Sequence, residues 1–429
     1  FLLIHCCMPM KTTDWKAFMF LSLSLRSATS AFSSTTRTAR TSLSTRSSSC
    51  HFFVRQSSIA PTTTSCTATT TATRSMSSQF WNREESSKQN FDKNKPIVKQ
   101  AKIVSLSDAN DPANDPLHKG DLPEGSSLLK IGSKMEDFDI PALQKEEPNV
   151  LFVSHPLSRQ PLGELLGVLP TIEWVHMRSA GIDFVASEAL SEANKRVFIS
   201  NAKGSFSSTL AEYTMMACAY FAKDLPRLLK QKNNRNWEKY SVLELRGATL
   251  GIIGYGDIGR AAAKLATAYG MKVIALRRNP NRSSEDPYCS TVYGSMEMNK
   301  LFAESDYVLC SAPLTPETKG MITKEQFDAA KEDCCFINVG RGPIVDEDAL
   351  IVALKSGKIK GAGLDVFSME PLPESSELWD LDNVLLSPHN MDQTDTFMFE
   401  ATEFFVGENL PRFLQGETLL NPVDAAAGY

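Results

Sequence analysis

The feature that most limits what this chain can fold into lies at residues 248–276. Ala248-Thr249-Leu250-Gly251-Ile252-Ile253 reads as a buried strand and runs straight into Gly254-x-Gly256-x-x-Gly259. Good helix formers follow, Ala261 to Ala263 and Leu265 among them. The helix should end near Gly270, and a second apolar strand occupies residues 271–276. This is a βαβ unit of about 30 residues. Each glycine has a mechanical reason: Gly254 allows the tight turn, Gly256 lets the backbone approach a pyrophosphate, and Gly259 lets the helix pack close to the strand. The helix start then presents unpaired N–H groups and a positive dipole end to phosphate. The segment is expected to bind a dinucleotide through Gly254, Gly256, Asp257, Ile258 and Gly259.

The end of the second strand bears on which dinucleotide. An acid there would accept hydrogen bonds from the adenosine ribose of NAD. The chain has Arg277 and Arg278 instead. A guanidinium accepts no hydrogen bond but pairs well with a phosphate dianion. NADP is therefore favoured. NAD stays open, because both arginines could also be solvated surface residues.

The remainder from about residue 100 has the same texture. Short apolar runs at 101–106, 149–154, 172–178 and 197–201 alternate with polar or helical stretches, as in a parallel sheet with crossovers. Residues 209–221 carry Leu210, Ala211, Met215, Cys218 and Ala219 at helical spacing. Residues 233–237 read as a polar loop. Nine cysteines are scattered without zinc spacing, so they read as small buried apolar residues rather than metal ligands or a disulfide framework. No run of about 18 apolar residues follows residue 25, so no membrane-spanning body is expected.

Net charge is −5, from 45 Lys+Arg and 50 Asp+Glu. The first 83 residues hold nine of the bases and one acid, Asp14, leaving an acidic body ill suited to nucleic acid. Residues 21–80 contain 31 Ser/Thr, and no acid occurs between Trp15 and Arg83. Such a stretch is too poor in apolar surface to form a core, and its composition is that of a transit peptide. The sequence opens on Phe1; Met8 and Met10 are candidate starts, and a short apolar run at 17–25 precedes Ala31-Phe32. This resembles the two-part presequences of algae with complex plastids, so a plastid is favoured over a mitochondrion. Initiation at Met76 would leave a cytosolic protein.

Six motifs in one order carry a resemblance over residues 100–429. They are Ser179-Ala180-Gly181-Ile182-Asp183, the glycine turn at 254–259, Ala312-Pro313-Leu314-Thr315-Pro316-Glu317-Thr318, Asn338-Val339-Gly340-Arg341-Gly342, Leu364-Asp365-Val366-Phe367-Ser368-Met369-Glu370-Pro371, and Ser387-Pro388-His389. Together they resemble the D-isomer-specific 2-hydroxyacid dehydrogenase family, and within it the glyoxylate/hydroxypyruvate reductase-like members. The resemblance implies an α/β protein: a Rossmann doubly wound parallel-sheet domain at residues 206–393, and a discontinuous flavodoxin-like α/β substrate domain at 96–205 and 394–429. Residues 1–95 are then presequence and linker. It also implies a small-molecule 2-oxo or 2-hydroxy acid as partner and a homodimer, with no nucleic-acid or membrane partner and no metal.

Reducing a 2-oxo acid needs a hydride donor, a proton donor and a cation for the carboxylate. His389, at the end of a strand-like run, is the natural general acid, since imidazole titrates near neutrality. Glu370 resembles the family's partner of that histidine. Arg341, after another strand, has the planar fork for a carboxylate and can polarise the 2-oxo group. By resemblance Asp365 holds the nicotinamide carboxamide, Pro313, Thr318 and Val339 border the cofactor, and the N–H groups of Ala180 and Gly181 receive the substrate carboxylate. After His389 the run Asn390-Met391-Asp392-Gln393 departs from the small residues usual in the family, and Met391 reads either as a pocket wall or as packing at the interdomain hinge. A dinucleotide-sensing co-repressor is the competing function. Phosphoglycerate dehydrogenase is a further alternative, its plastid type disfavoured because the roughly 35 residues after Thr394 are too few for a regulatory domain; formate dehydrogenase is disfavoured by Glu370, where its relatives place Gln.

Overall fold

The computed structural model describes residues 95–118, 122–154, 158–283 and 285–426. The proposed presequence lies outside the described residues. Two all-parallel sheets organise the rest. The first contains β1 (Ala101–Leu106), β2 (Ser126–Gly132), β3 (Val150–Val153), β4 (Trp174–Met177) and β5 (Phe198–Asn201) in the order 2-1-3-4-5. That is the flavodoxin-like order. The second contains β6 (Thr249–Ile253), β7 (Lys272–Leu276), β8 (Thr291–Tyr293), β9 (Tyr307–Cys310), β10 (Cys335–Asn338), β11 (Gly361–Leu364) and β12 (Val384–Leu386) in the order 12-11-10-9-6-7-8. Counted from β6, this is the doubly wound Rossmann order with one further strand.

Burial on both faces explains why the strands read as continuous apolar runs. On the second sheet, Leu250, Ile252, Val273, Ala275, Leu309 and Ile337 point into one core, shared with helices α1 (Ser207–Ala222) and α2 (Asp257–Ala268). Ile253, Ile274, Val308, Cys310 and Phe336 point into the opposite core. On the first sheet, Leu151, Val153, Val175 and Met177 face one core, and Phe152 and Trp174 face another. The latter is covered by the C-terminal chain, where Phe405, Leu410 and Phe413 pack from a helical run after α3 (Phe397–Phe404). The chain then returns beside β5: Val423 N–H donates to Ile199 O at 2.9 Å, and Ser200 bridges Pro422.

The sequence reading missed β2, β8, β9 and the C-terminal helices. β2 sits at the edge of its sheet and is mostly half-buried, and β8 has only three residues. Neither carries the apolar run that marked the strands found. Among the described residues no helix is long and apolar enough to cross a membrane.

Candidate active site

Parallel pairing puts every strand of a sheet with its C-terminal end on the same edge. Ligands of open α/β sheets bind at that edge, where the strand order reverses. In the second sheet the reversal lies between β6 and β9. There Gly254, at φ +91°, brings its backbone so close that an added Cβ would lie 2.6 Å from Ala312 N and Cα. A Cβ on Gly259 would meet Gly254 O at 2.6 Å and Ile252 Cγ2 at 2.9 Å, so the helix presses on the strand as expected. Around Gly256 the corresponding space is open, and no side chain caps α2. An uncapped helix start under an open glycine fits a dinucleotide pyrophosphate.

The other residues expected to border the cofactor divide by what they touch. Ile258 packs against the core, and Val339 is buried within it, so Val339 can offer a ligand only its backbone. Thr318 accepts from Thr315 N–H at 2.8 Å and donates to Pro313 O at 2.7 Å, which fixes the turn after β9. Arg277 is half-buried and hydrogen-bonds Ser283 through its guanidinium, whereas Arg278 is exposed. Asp257, in the first turn of α2, is 3.4 Å from Lys203 Nζ, a lysine the sequence reading did not single out.

The catalytic candidates meet beyond β10, β11 and β12. His389 Nδ1 and Glu370 Oε2 are 2.7 Å apart, and Glu370 Oε1 accepts the N–H of Phe367 at 3.0 Å. Both carboxylate oxygens are thus engaged, and Nε2 is the ring nitrogen left to face a substrate. The hydrogen bond and charge of Glu370 raise the His389 pKa above its ordinary value, against the opposing effect of burial. Burial pushes the Glu370 carboxyl up, but the His389 and Phe367 hydrogen bonds outweigh it, and its pKa is lowered.

His389 has φ +50°, a left-handed conformation uncommon outside glycine. Asp365, only 2% exposed, holds the loop in that state. Its Oδ1 accepts from Ser387 Oγ at 2.7 Å and from Asn390 N–H at 3.1 Å, one on each side of the histidine. Those bonds make Asp365 an anchor of the histidine loop, a role the resemblance did not supply. Met391 packs against the core that holds α1 and α2.

Arg341 is set by its own loop. Asn338, 2% exposed, accepts from Gly340 N–H at 3.1 Å and donates to Arg341 O at 3.3 Å. A Cβ on Gly342 would fall 1.8 Å from the carbonyl carbon of Phe367, so a glycine is required where this loop lies against the Glu370 loop. The guanidinium reaches the first sheet's loop, where Nη2 and Nε donate to Asp183 Oδ1 at 3.0 and 3.3 Å. It lies against Gly181, at which a Cβ would be 2.2 Å from Nη2. In the same loop Ser179 Oγ donates to Gly181 O, Asn201 donates to Ala180 O, and Ala202 N–H donates to Ser179 O. The carbonyls of 179, 180 and 181 are all taken. Among the described residues no acceptor pairs with the N–H of Ala180 or Gly181. Sequence reasoning quoted Asn338 and Asp183 inside motifs without assigning them a role.

The Glu370–His389 geometry gives a signed pH effect. If imidazolium donates the proton during reduction, activity is lost as pH rises through the raised His389 pKa. Glu370→Gln removes the raising partner, so the alkaline fall in kcat/KM should move to lower pH, with the two enzymes converging in acid. Superimposable profiles from pH 5 to 10 would show that Glu370 does not set the histidine's protonation.

The profile of a family described as "D-isomer specific 2-hydroxyacid dehydrogenase, NAD binding domain" matches residues 215–390. A D-3-phosphoglycerate dehydrogenase of Methanocaldococcus jannaschii is 35% identical over 253 residues, which is 57% of this chain; the match spans 46% of that protein, less than half its length. A glyoxylate reductase of Korarchaeum cryptofilum is 34% identical over 61% of this chain and 79% of its own. A solved D-isomer specific 2-hydroxyacid dehydrogenase from Xanthobacter autotrophicus Py2, in complex with NADPH and MES, superposes with a TM-score of 0.63 at 29% identity, covering 77% of this chain and all of that one. With its two parallel sheets and the motif residues gathered at their C-terminal edges, the chain belongs to the D-isomer-specific 2-hydroxyacid dehydrogenase family, whose members are NAD(P)-dependent oxidoreductases.

Proposed function

We propose that this enzyme reduces a small 2-oxo acid, glyoxylate or hydroxypyruvate, to the 2-hydroxy acid, with NADPH preferred to NADH. The observation that carries the reading is the placement of an imidazole–carboxylate pair and a guanidinium beside an uncapped, glycine-lined helix start. When bound, the nicotinamide supplies the hydride that adds to C2. The chain does the rest: Arg341 and the N–H groups of Ala180 and Gly181 hold the carboxylate, and His389 Nε2 gives its proton to the oxygen at C2. Glu370 keeps the imidazole charged and its ring fixed until that moment. The glyoxylate reductase named among the relatives supports this substrate class. Phosphoglycerate dehydrogenase is the second reading, on the 35% identity to the archaeal enzyme of that name. A complete set of Arg341, Glu370 and His389 favours turnover over a sensing role. The test is a panel of glyoxylate, hydroxypyruvate, phenylpyruvate and 3-phosphohydroxypyruvate with each reduced cofactor.

NADPH preference rests on Arg277, whose guanidinium hydrogen-bonds Ser283 at the end of β7. Losing a charge-assisted phosphate contact costs roughly 1.5–3 kcal/mol, about 10–150-fold. Arg277→Asp should lower kcat/KM for NADPH by that factor and spare NADH. A wild-type enzyme that works equally well with NADH would sink the assignment.

Three further features belong to this proposal. Residues 96–205 with 394–429 act as the substrate domain and 206–393 as the cofactor domain, supported by α1 joining the second sheet's core. The enzyme is a homodimer, supported by the exposed apolar residues Leu225, Leu228, Leu229, Trp237, Val242 and Leu243. It is imported into an organelle, a plastid before a mitochondrion, supported by the Ser/Thr- and Arg-rich, acid-free composition of residues 21–80.

A further inference from the structure

We propose that Asp183 is a built-in competitor of the substrate: its carboxylate holds Arg341 when the site is empty, and an incoming 2-oxo acid must displace it. This rests on the reading of Arg341 as the carboxylate-binding residue. Arg341 comes from the second sheet and Asp183 from the loop after β4, the loop expected to receive the substrate carboxylate. Nη2 and Nε both donate to one oxygen, Oδ1, at 3.0 and 3.3 Å. The guanidinium edge suited to a carboxylate is therefore already used, but in a forked contact to a single atom. A substrate carboxylate can offer two oxygens to the same edge, one per N–H, which is the stronger arrangement.

Release of Asp183 is also cheap. Its side chain is 52% exposed, so once displaced it is solvated rather than stranded. Its backbone stays fixed, since Arg159 donates to Asp183 O at 2.9 Å and neighbouring Ile182 is buried. Arg341 also keeps its Nη1 bond to Gly340 O at 2.8 Å and need not leave its position. The exchange then involves one short side chain. It favours ligands whose carboxylate lies flat against the guanidinium, and it disfavours anions that can present only one oxygen.

The test is the Asp183→Asn variant, with Asp183→Ser as a second neutral variant should the first fail to fold. Steady-state KM for glyoxylate and calorimetric Kd for oxamate, an unreactive 2-oxo acid mimic, are measured at saturating NADPH. Removing the competing charge should lower both about two- to fivefold, the scale of a half-exposed ion pair. Asp183→Glu, which keeps the charge, should return both toward wild type, a rescue that a merely structural role would not produce. If the wild type turns over glyoxylate and the neutral variants show unchanged or higher KM and Kd at normal Tm, Asp183 orients Arg341 and the competitor role is wrong. If the wild type neither reduces glyoxylate nor binds oxamate, the reading of the site fails, and this proposal with it.

Discussion

His389→Gln is expected to lower kcat for glyoxylate reduction about 10²–10⁴-fold, the usual contribution of a positioned acid or base. Glutamine retains a hydrogen-bond donor of similar reach but has no proton to give. The loss should therefore fall on kcat, with KM for the oxo acid changing far less, because proton donation is made only in the transition state. The geometry sharpens the expectation. Glu370 Oε2 occupies Nδ1 at 2.7 Å, so Nε2 alone is available for transfer. The left-handed backbone at His389 is held by Asp365 through Ser387 and Asn390, bonds that do not involve the imidazole. The variant should keep its loop and its melting temperature, which separates chemistry from folding. Pre-steady-state mixing with NADPH would show the reduction step itself slowed. Near wild-type turnover in the variant would remove His389 as proton donor.

How much of this was readable before the structure depended on how locally each feature is encoded. The glycine turn was legible because its requirements are backbone ones: a positive φ at Gly254, and no room for a Cβ there or at Gly259. Strands such as β3, β6 and β7 were legible because burial on both faces favours an unbroken apolar run, whereas β9, equally buried, was passed over. The half-buried edge strand β2 carries no such mark. The pairing of His389 with Glu370 came from resemblance, since nothing in a spacing of 19 residues brings two side chains to 2.7 Å; the order of β11 and β12 does that. Asp365 and Asn338 were quoted in motifs but their work was hidden, because a buried polar side chain that ties a loop is indistinguishable in sequence from one that meets a ligand. Asp183 was hidden for a different reason. Its partner is 158 residues away, on the other sheet.

Arg341→Ala should be at least as damaging to kcat/KM as loss of the histidine, but with a different kinetic signature. Arg341 binds the carboxylate in the ground state and polarises the C2 oxygen as charge develops, so KM should rise and kcat should fall together. Removing one preorganised donor from a developing oxyanion costs roughly 2.7–4 kcal/mol, about 10²–10³-fold in kcat. The loss of a charge-assisted carboxylate contact adds about 1.5–3 kcal/mol in binding. Arg341→Lys should recover only part of this, because an ammonium cannot form the two parallel bonds of the guanidinium fork. Structural damage should be small: the Asn338 side chain holds the loop by bonds to the backbone of Gly340 and Arg341, Gly342 fits by lacking a Cβ, and Asp183, freed of its partner, is half exposed. Stopped-flow binding of NADPH should be unaffected, since the glycine turn at 254–259 follows β6 while Arg341 follows β10. An Arg341→Ala enzyme with unchanged KM for glyoxylate and weakened NADPH binding would place this guanidinium on the cofactor instead, and the carboxylate would then need another cation.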